Sequence, residues 1–196
     1  MPDTDSIVIA KTFNYRGVAE VWTNKYHLEG TTPTTLVEAR TLLRAIWDSE
    51  RAALGTSVKL TGGAFYNAGN EAAAFMFDAT NIGGSALQNQ GALSVTGDAV
   101  PGDAAIWVRW TTPDRNSKNK PIYLRKYFHG FAVQADGDTP DPAVRTALLA
   151  HGAKMYDGSL PGGMKVCGPQ GADAIAHGVA QFVTTRTLKR NARTPI

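Results

Sequence analysis

The residues best suited to chemistry in this sequence are lysines and arginines gathered in two short segments. Residues 109–126 carry six of them against a single acid, Asp114, and residues 186–196 carry four against none. Together these segments hold half of the 20 cations of the chain. Such clustering favours an anionic partner, for example a nucleic-acid backbone. The alternative is a solvated strand edge and a charged tail, because lysine at a sheet edge discourages unwanted strand pairing.

The C-terminal basic segment, residues 186–196, spaces its cations with threonine, leucine, asparagine and alanine. An extended chain of this pattern can lay several charges along phosphates without any base-specific geometry. We therefore predict nonspecific nucleic-acid binding by four residues of this segment: Arg186, Lys189, Arg190 and Arg193.

Residue types typical of enzymes are present, but their spacing forms no complete catalytic motif. The four histidines are far apart in the sequence, and none lies in an HExxH pattern. Cys167 with His177 is a candidate nucleophile and base, which keeps a small hydrolase open as an alternative; a structural cysteine is favoured. We predict no catalytic residues and no cofactor.

Carboxylates offer a second candidate chemistry. Asp136, Asp138 and Asp141 are close enough to supply oxygen ligands to a hard cation, although a turn followed by a helix cap explains them better. Asp48 and Glu50 are expected on a helix surface, where water solvates them. The sequence therefore predicts no metal site, with the three aspartates as weak candidates.

Composition limits the architecture to one compact domain over residues 1–196. The chain has 43% apolar residues and a formal net charge of +3, enough apolar content for a core and too little charge for a strongly basic protein. Apolar runs are short, and the start of the chain lacks the pattern of a secretion signal, so we predict neither a membrane partner nor processing.

Alternating and β-branched segments predict about eight strands. In the second, Val18, Trp22, Tyr26 and Leu28 are expected on one side, with Asn24 as the exception. The predicted strands are residues 7–14, 18–28, 58–66, 73–77, 92–96, 105–111, 122–133 and 178–188.

Two helices interrupt the strands. The first has Thr35 and Glu38 as a capping box, an apolar face that includes Leu36, and Gly55 as a stop. The second begins near Asp141 and Pro142, and Val144, Leu148 and Met155 share one face. Many short strands with one long inserted helix and a second, shorter helix predict a mainly β fold, an antiparallel sandwich or barrel.

Three segments of the chain resemble capsid proteins of small circular single-stranded DNA viruses known from environmental genomes. The segments are "NKYHLEGTTP", "GDAAIWVRWTT" and "RNSKNKPIYLRKYFHG". The resemblance extends loosely over most of the chain. It implies a single jelly-roll-like sandwich, many copies assembled in a small icosahedral shell, and a basic arm facing the genome. Unlike the long arginine-rich N-terminal arm of such proteins, the start "MPDTDSIV" is acidic, so the C-terminal segment takes that role.

The resemblance also sets expectations for the central basic residues and for localisation in the virion. Arg115, Lys118 and Lys120 are expected in a subunit contact or an exterior loop, as loops of jelly rolls commonly are. Arg125 and Lys126 are expected to bind nucleic acid, with at most one directed to the genome because neighbouring strand residues alternate. A phage tail, tube or decoration protein is the alternative among structural proteins.

Overall fold

The computed structural model describes residues 4–15, 18–54, 58–78, 80–82, 105–115, 117–119, 121–129, 142–166 and 181–183. These residues contain eight strands and two α-helices. The strands are β1 (Ser6–Tyr15), β2 (Val18–Glu29), β3 (Lys59–Tyr66), β4 (Phe75–Phe77), β5 (Ala105–Arg115), β6 (Pro121–His129), β7 (Lys165–Val166) and β8 (Gln181–Val183). The helices are α1 (Leu36–Arg51) and α2 (Pro142–Tyr156), and a 3-10 turn covers Pro161–Gly163.

The described strands form two antiparallel sheets. One has five strands in the order β4-β3-β1-β2-β7, and the other has three in the order β6-β5-β8. Strands β1 and β2 form a long hairpin in which Ile9 lies opposite Asn24 and Lys11 opposite Trp22. A mainly β, antiparallel fold with two helices is thus confirmed.

Helix α1 connects two strands that are not neighbours. Both β2 and β3 pair antiparallel with β1, from its two sides, so β2 and β3 run parallel to one another. A connection between parallel strands has to cross the sheet, and a helix is the usual crossover. Helix α1 therefore lies on one face of the five-stranded sheet and contacts β1, β3 and β4.

Local sequence explains why α1 begins where it does. The Thr35 side chain accepts from the backbone N–H of Glu38, and the Glu38 carboxylate accepts from the backbone N–H of Thr35. This reciprocal capping satisfies two backbone donors of the first turn, as the sequence predicts. Helix α1 ends at Arg51, so the predicted stop at Gly55 comes later than the observed end, and Gly55 lies outside the described residues.

The core lies between the helices and one face of the five-stranded sheet. Ile7 and Ile9 of β1 meet Leu43, Ile46 and Trp47 of α1 in one buried cluster. Helix α2 adds the three residues predicted to share its apolar face, which are all fully buried: Val144, Leu148 and Met155. That prediction is confirmed, whereas Leu36, predicted on the apolar face of α1, is exposed in the first turn.

The other face of the five-stranded sheet is partly open to solvent. Val21, Thr23 and Lys25 of β2 are exposed, and Thr61 of β3 is exposed as well. Alternate residues of β2, which are Asn24, Tyr26 and Leu28, are buried on the core face. Asn24, expected as an exception to the apolar pattern of this strand, is therefore a buried residue of that face.

The predicted strands agree with the structure in most described segments. The fourth is shorter than predicted, at Phe75–Phe77, and the last described strand is Gln181–Val183. The predicted strand 92–96 lies outside the described residues. No helix in the described ranges is long and apolar enough to cross a membrane.

Candidate functional site

Five polar side chains meet inside the core instead of at the surface. We call Lys11, Asn24, Tyr26, Glu50 and His151 the buried polar cluster. The exposed fraction of each residue is 4% or less, and that of Glu50 is zero. Buried charges are uncommon unless they are paired, so this cluster is the described part of the chain with the strongest claim to a special role.

Periodicity brings these residues to the core. Lys11 follows Ile7 and Ile9 at alternate positions of β1, and the period of a strand directs all three to one face. Glu50 follows Ile46 by four residues and Trp47 by three, which places it on the apolar face of α1. The elements that bury the core therefore bury these polar groups with it.

The Glu50 carboxylate is the centre of the cluster. Its Oε2 accepts from Lys11 Nζ at 2.5 Å. Its Oε1 accepts from Asn24 Nδ2 at 3.2 Å and from the Tyr26 hydroxyl. One helix residue thus binds an ammonium and two polar groups from neighbouring strands.

A hydrogen-bond chain extends from Glu50 to the second helix. The Tyr26 hydroxyl gives its single proton to Glu50, so it accepts from Nε2 of His151, which lies 3.2 Å away. In a neutral imidazole Nδ1 is then the acceptor, and Ser49 Oγ lies 2.8 Å from it. The network therefore places a proton on Nε2 of His151 and connects α2 to α1 and β2.

Electrostatics keep Glu50 ionised despite its burial. Burial alone raises the pKa of the Glu50 carboxyl, whereas the Lys11 ammonium, His151 and the hydrogen bonds from Lys11 and Tyr26 lower it. The net shift of the Glu50 pKa is downward from its ordinary value of 4.5. Glu50 is thus a carboxylate at neutral pH, in hydrogen-bond contact with the Lys11 ammonium and the Asn24 carboxamide.

The cluster corrects one expectation from the sequence. Glu50 was expected on a solvated helix surface but is fully buried, because it lies on the apolar face of α1. The sequence also did not predict that His151 would contact Tyr26 and Ser49, which are 125 and 102 residues away. A usable signal was present, namely polar residues at periodic core positions in β1 and α1.

The predicted subunit-contact residues lie at the β5–β6 hairpin. Lys118 is exposed in the turn, and Asn119 beside it has a φ of 57°, in the left-handed region that asparagine tolerates. Arg115 is the last residue of β5 and has Pro121 as its Cα partner. Lys120 lies outside the described residues. A basic turn between two long strands is compatible with either a subunit contact or an exterior loop.

The predicted nucleic-acid-binding residues are only partly described. Arg125 and Lys126 occupy successive positions of β6, where Arg125 lies opposite Arg109 and Lys126 opposite Val108. The four cations predicted in the C-terminal basic segment lie outside the described residues: Arg186, Lys189, Arg190 and Arg193.

The metal and cysteine candidates also lie outside the described residues. These are Asp136, Asp138, Asp141, Cys167 and His177. Within the described ranges, no group of three or more histidine, cysteine or acidic residues is arranged to hold a metal ion.

A pocket of about 370 Å³ opens beside the N-terminus of α1, away from the buried polar cluster. Thr34, Val37, Leu42 and Pro161 are among the residues that line it. Glu38 also lines it and already accepts from the backbone N–H groups of Thr34 and Thr35. A carboxylate at this position disfavours a bound anion, so the pocket is not an anion site.

Comparisons with known proteins identify no relative. No family model matches the chain, and neither a curated protein nor a solved structure is significantly similar to it.

Proposed function

We propose that the chain is a viral coat subunit that assembles into a closed icosahedral shell and holds a single-stranded genome through basic residues. The observation that carries the proposal is the register of β5 and β6, which places Arg109 and Arg125 directly opposite each other. Like charges directly opposite in an antiparallel pair are destabilising. Such a register is tolerated more easily where an anion binds, either a phosphate of the genome or a carboxylate from a neighbouring subunit.

Positions next to this pair add to the basic character of the sheet. Lys126 follows Arg125 in β6, and the hairpin turn presents Lys118. On the other side of β5, Gln181 of β8 lies opposite Arg109. The row Arg125, Arg109 and Gln181 thus contains only residues that can donate hydrogen bonds to phosphate oxygens.

Exposed apolar side chains support assembly. Val21 in β2 and Met76 in β4 are each 63% exposed, and Val37 in α1 is 59% exposed. Strand β4 ends the order of the five-stranded sheet and has only three residues, a short terminal strand. Apolar residues that are open in one subunit are the kind that copies of a coat protein bury against each other.

The jelly-roll arrangement belongs to this proposal. The described residues form eight strands in two antiparallel sheets, and eight is the strand number of that fold. In this chain, α1 and α2 cover one face of the larger sheet, so the helices replace sheet-to-sheet packing over that face.

Assembly is the first test. We expect the purified chain to form large closed particles at neutral pH, visible by mass photometry and negative-stain microscopy. Val21→Lys with Met76→Lys should abolish them and leave the circular dichroism spectrum of the subunit unchanged. The matched control is Thr146→Lys with Ala150→Lys, at two exposed positions of α2. Open tubes would favour the tail or tube alternative, and a monomer at high concentration would contradict the coat proposal.

Nucleic-acid binding by the C-terminal basic segment is the second test. Alanine at Arg186, Lys189, Arg190 and Arg193 should weaken binding to unrelated single-stranded DNAs equally. With about four phosphate contacts, the slope of log K against log salt should approach roughly −3 in the intact chain, and should become shallower in the variant. Fluorescence anisotropy titrations at several salt concentrations measure both quantities.

The matched control removes the same charge elsewhere, by alanine at Arg44, Lys59, Lys154 and Lys165. It should leave the salt slope nearly unchanged. Equal slopes for the intact chain and the C-terminal variant would exclude the segment from genome binding.

A further inference from the structure

We propose that the chain cross-links itself, by an amide bond between the Lys11 side-chain nitrogen and the Asn24 side-chain carbon, with Glu50 as the catalytic acid and base. The three residues are an amine nucleophile, a carboxamide electrophile and a carboxylate that contacts both. The inference concerns the subunit alone and does not depend on the coat proposal.

Strand register places the two reacting residues within reach. On β1 and β2, Ile9 lies opposite Asn24 and Lys11 opposite Trp22, so Lys11 and Asn24 are diagonal neighbours on the core face. Diagonal neighbours of an antiparallel pair have Cβ atoms about 7–8 Å apart or slightly less. A lysine side chain spans this gap, and the shorter asparagine side chain supplies the acceptor carbon.

Glu50 holds both groups at one carboxylate. Lys11 Nζ lies 2.5 Å from Oε2, and Asn24 Nδ2 lies 3.2 Å from Oε1. The carboxylate can therefore take a proton from the attacking nitrogen and deliver one to the departing nitrogen without moving far. Proton transfer of this kind needs hydrogen-bond contact with both atoms, which Glu50 has.

The surroundings favour the reaction in two ways. Lys11, Asn24 and Glu50 are all nearly fully buried, and the Cα partners of Lys11 and Asn24 on the same face include the buried Leu60 and Ile9. Burial raises the pKa of the Glu50 carboxyl and so favours proton transfer from the ammonium, but the polar partners of Glu50 hold its net pKa below the ordinary value, which makes this transfer the uphill step. A carboxamide is a poor electrophile, and a fixed approach compensates by the effective concentration of the amine.

The steps balance in atoms and charge. Glu50 takes one proton from the Lys11 ammonium, and the free amine attacks Cγ of Asn24 to give a tetrahedral carbon. The C–Nδ2 bond then breaks as Glu50 returns its proton to that nitrogen, which leaves as ammonia. The remaining extra proton on the lysine nitrogen passes to Glu50, and the product is a secondary amide. No oxidant, metal or cofactor enters the balance.

Tyr26 and His151 act as positioning residues. The Tyr26 hydroxyl donates to Oε1 of Glu50, and His151 in turn donates to the Tyr26 oxygen. These bonds orient the carboxylate so that its two oxygens face the two reacting nitrogens. Tyr26→Phe should therefore slow linkage while the final linked mass is still reached.

Mass spectrometry tests the proposal on the unmodified chain. The folded protein should be lighter than its sequence mass by about 17 Da, the mass of ammonia lost when the amide nitrogen is displaced. Linked Lys11 resists trypsin, so the digest should contain residues 1–16 joined to residues 17–25. Without the link, the digest contains 1–11, 12–16 and 17–25 as separate peptides. Separate peptides and the full sequence mass in the folded protein would overturn the proposal.

Two substitutions assign the roles. Lys11→Arg keeps a cation beside Glu50 but removes the nucleophile, and should show no joined peptides. Glu50→Gln, verified as folded by circular dichroism, should link at least about 10²-fold more slowly. Linkage at the original rate in Glu50→Gln would overturn the role of Glu50.

One competing reaction loses the same mass. Asn24 can close on its own backbone to a cyclic imide, which also releases ammonia but leaves the peptides separate and persists in Lys11→Arg. A mass loss of that kind without joined peptides would count against the cross-link. Joined peptides in the original chain, absent in Lys11→Arg, would establish it.

Discussion

Replacing Glu50 with alanine is expected to destabilise the protein by about 3–5 kcal/mol relative to Lys11→Arg, which keeps the ion pair and cannot form the proposed amide, because loss of the carboxylate leaves Lys11 buried without the Glu50 counter-charge. The Lys11 residue is only 4% exposed and Glu50 is its 2.5 Å partner, so water cannot take over the role of the carboxylate. The substitution also removes the acceptor of the Tyr26 hydroxyl. Urea denaturation followed by tryptophan fluorescence measures the loss.

Asp48 is the matched control on the same helix. Its pair with Arg51 is at 2.9 Å but half of its side chain is exposed, so Asp48→Ala should cost about 0–1 kcal/mol. A combined Lys11→Met and Glu50→Leu variant should recover most of the loss, because an apolar pair leaves no charge in the core. A loss in Glu50→Ala as small as that in Asp48→Ala would show that the pair is not buried in solution.

The same ion pair predicts how stability depends on acid. The pKa of Glu50 is lowered in the folded state, so its contribution is present above the ordinary value of 4.5 and is lost as pH falls through the folded value. Lys11→Arg keeps a cation paired with Glu50 and cannot form the proposed amide. This variant therefore isolates the effect of Glu50 protonation on stability. As the pH is lowered below 4.5, the urea concentration at the unfolding midpoint of Lys11→Arg should decrease steeply. The midpoint of the Lys11→Met and Glu50→Leu variant should decrease less.

The second large effect is expected at Gly63 of β3, which lies close to the backbone of β1 and to Leu43 of α1. A Cβ atom there would lie 2.3 Å from the backbone oxygen of Val8 and 2.7 Å from Cδ1 of Leu43. Leu43 can turn away, but the backbone oxygen belongs to the strand paired with β3 and cannot. Gly63→Ala should therefore destabilise the protein by about 1–3 kcal/mol through overpacking.

Lys59, an exposed residue of the same strand, supplies the comparison for this experiment. Lys59→Ala should change stability by about 0.5 kcal/mol or less, because it touches none of the packed core. If Gly63→Ala is equally mild in urea denaturation, the close approach of Gly63 to the Val8 backbone is wrong.

The helices and most strands were predictable because their signals are local. The capping box of Thr35 and Glu38 lies within four residues, and the apolar face of α2 repeats within one helix. Alternation in β1 and β2 likewise needs only the period of a strand. Such patterns hold wherever the element is placed in the fold.

Strand order was not predictable in the same way. The crossover of α1, which sends β2 and β3 to opposite sides of β1, depends on which strands pair. Pairing partners are chosen by contacts between distant segments, and alternation in a single strand does not name its neighbour.

What the sequence by itself determined is the set of elements and the faces they bury; what only the tertiary structure decided is which polar residues meet. Four of these residues come from four different elements: Lys11 from β1, Asn24 from β2, Glu50 from α1 and His151 from α2. In the sequence alone, each resembles an ordinary charged or polar residue. Packing of α1 and α2 on one sheet face brings the four together. The physical reason is that burial of a polar group is tolerated only where partners converge, and convergence is a property of the assembled core.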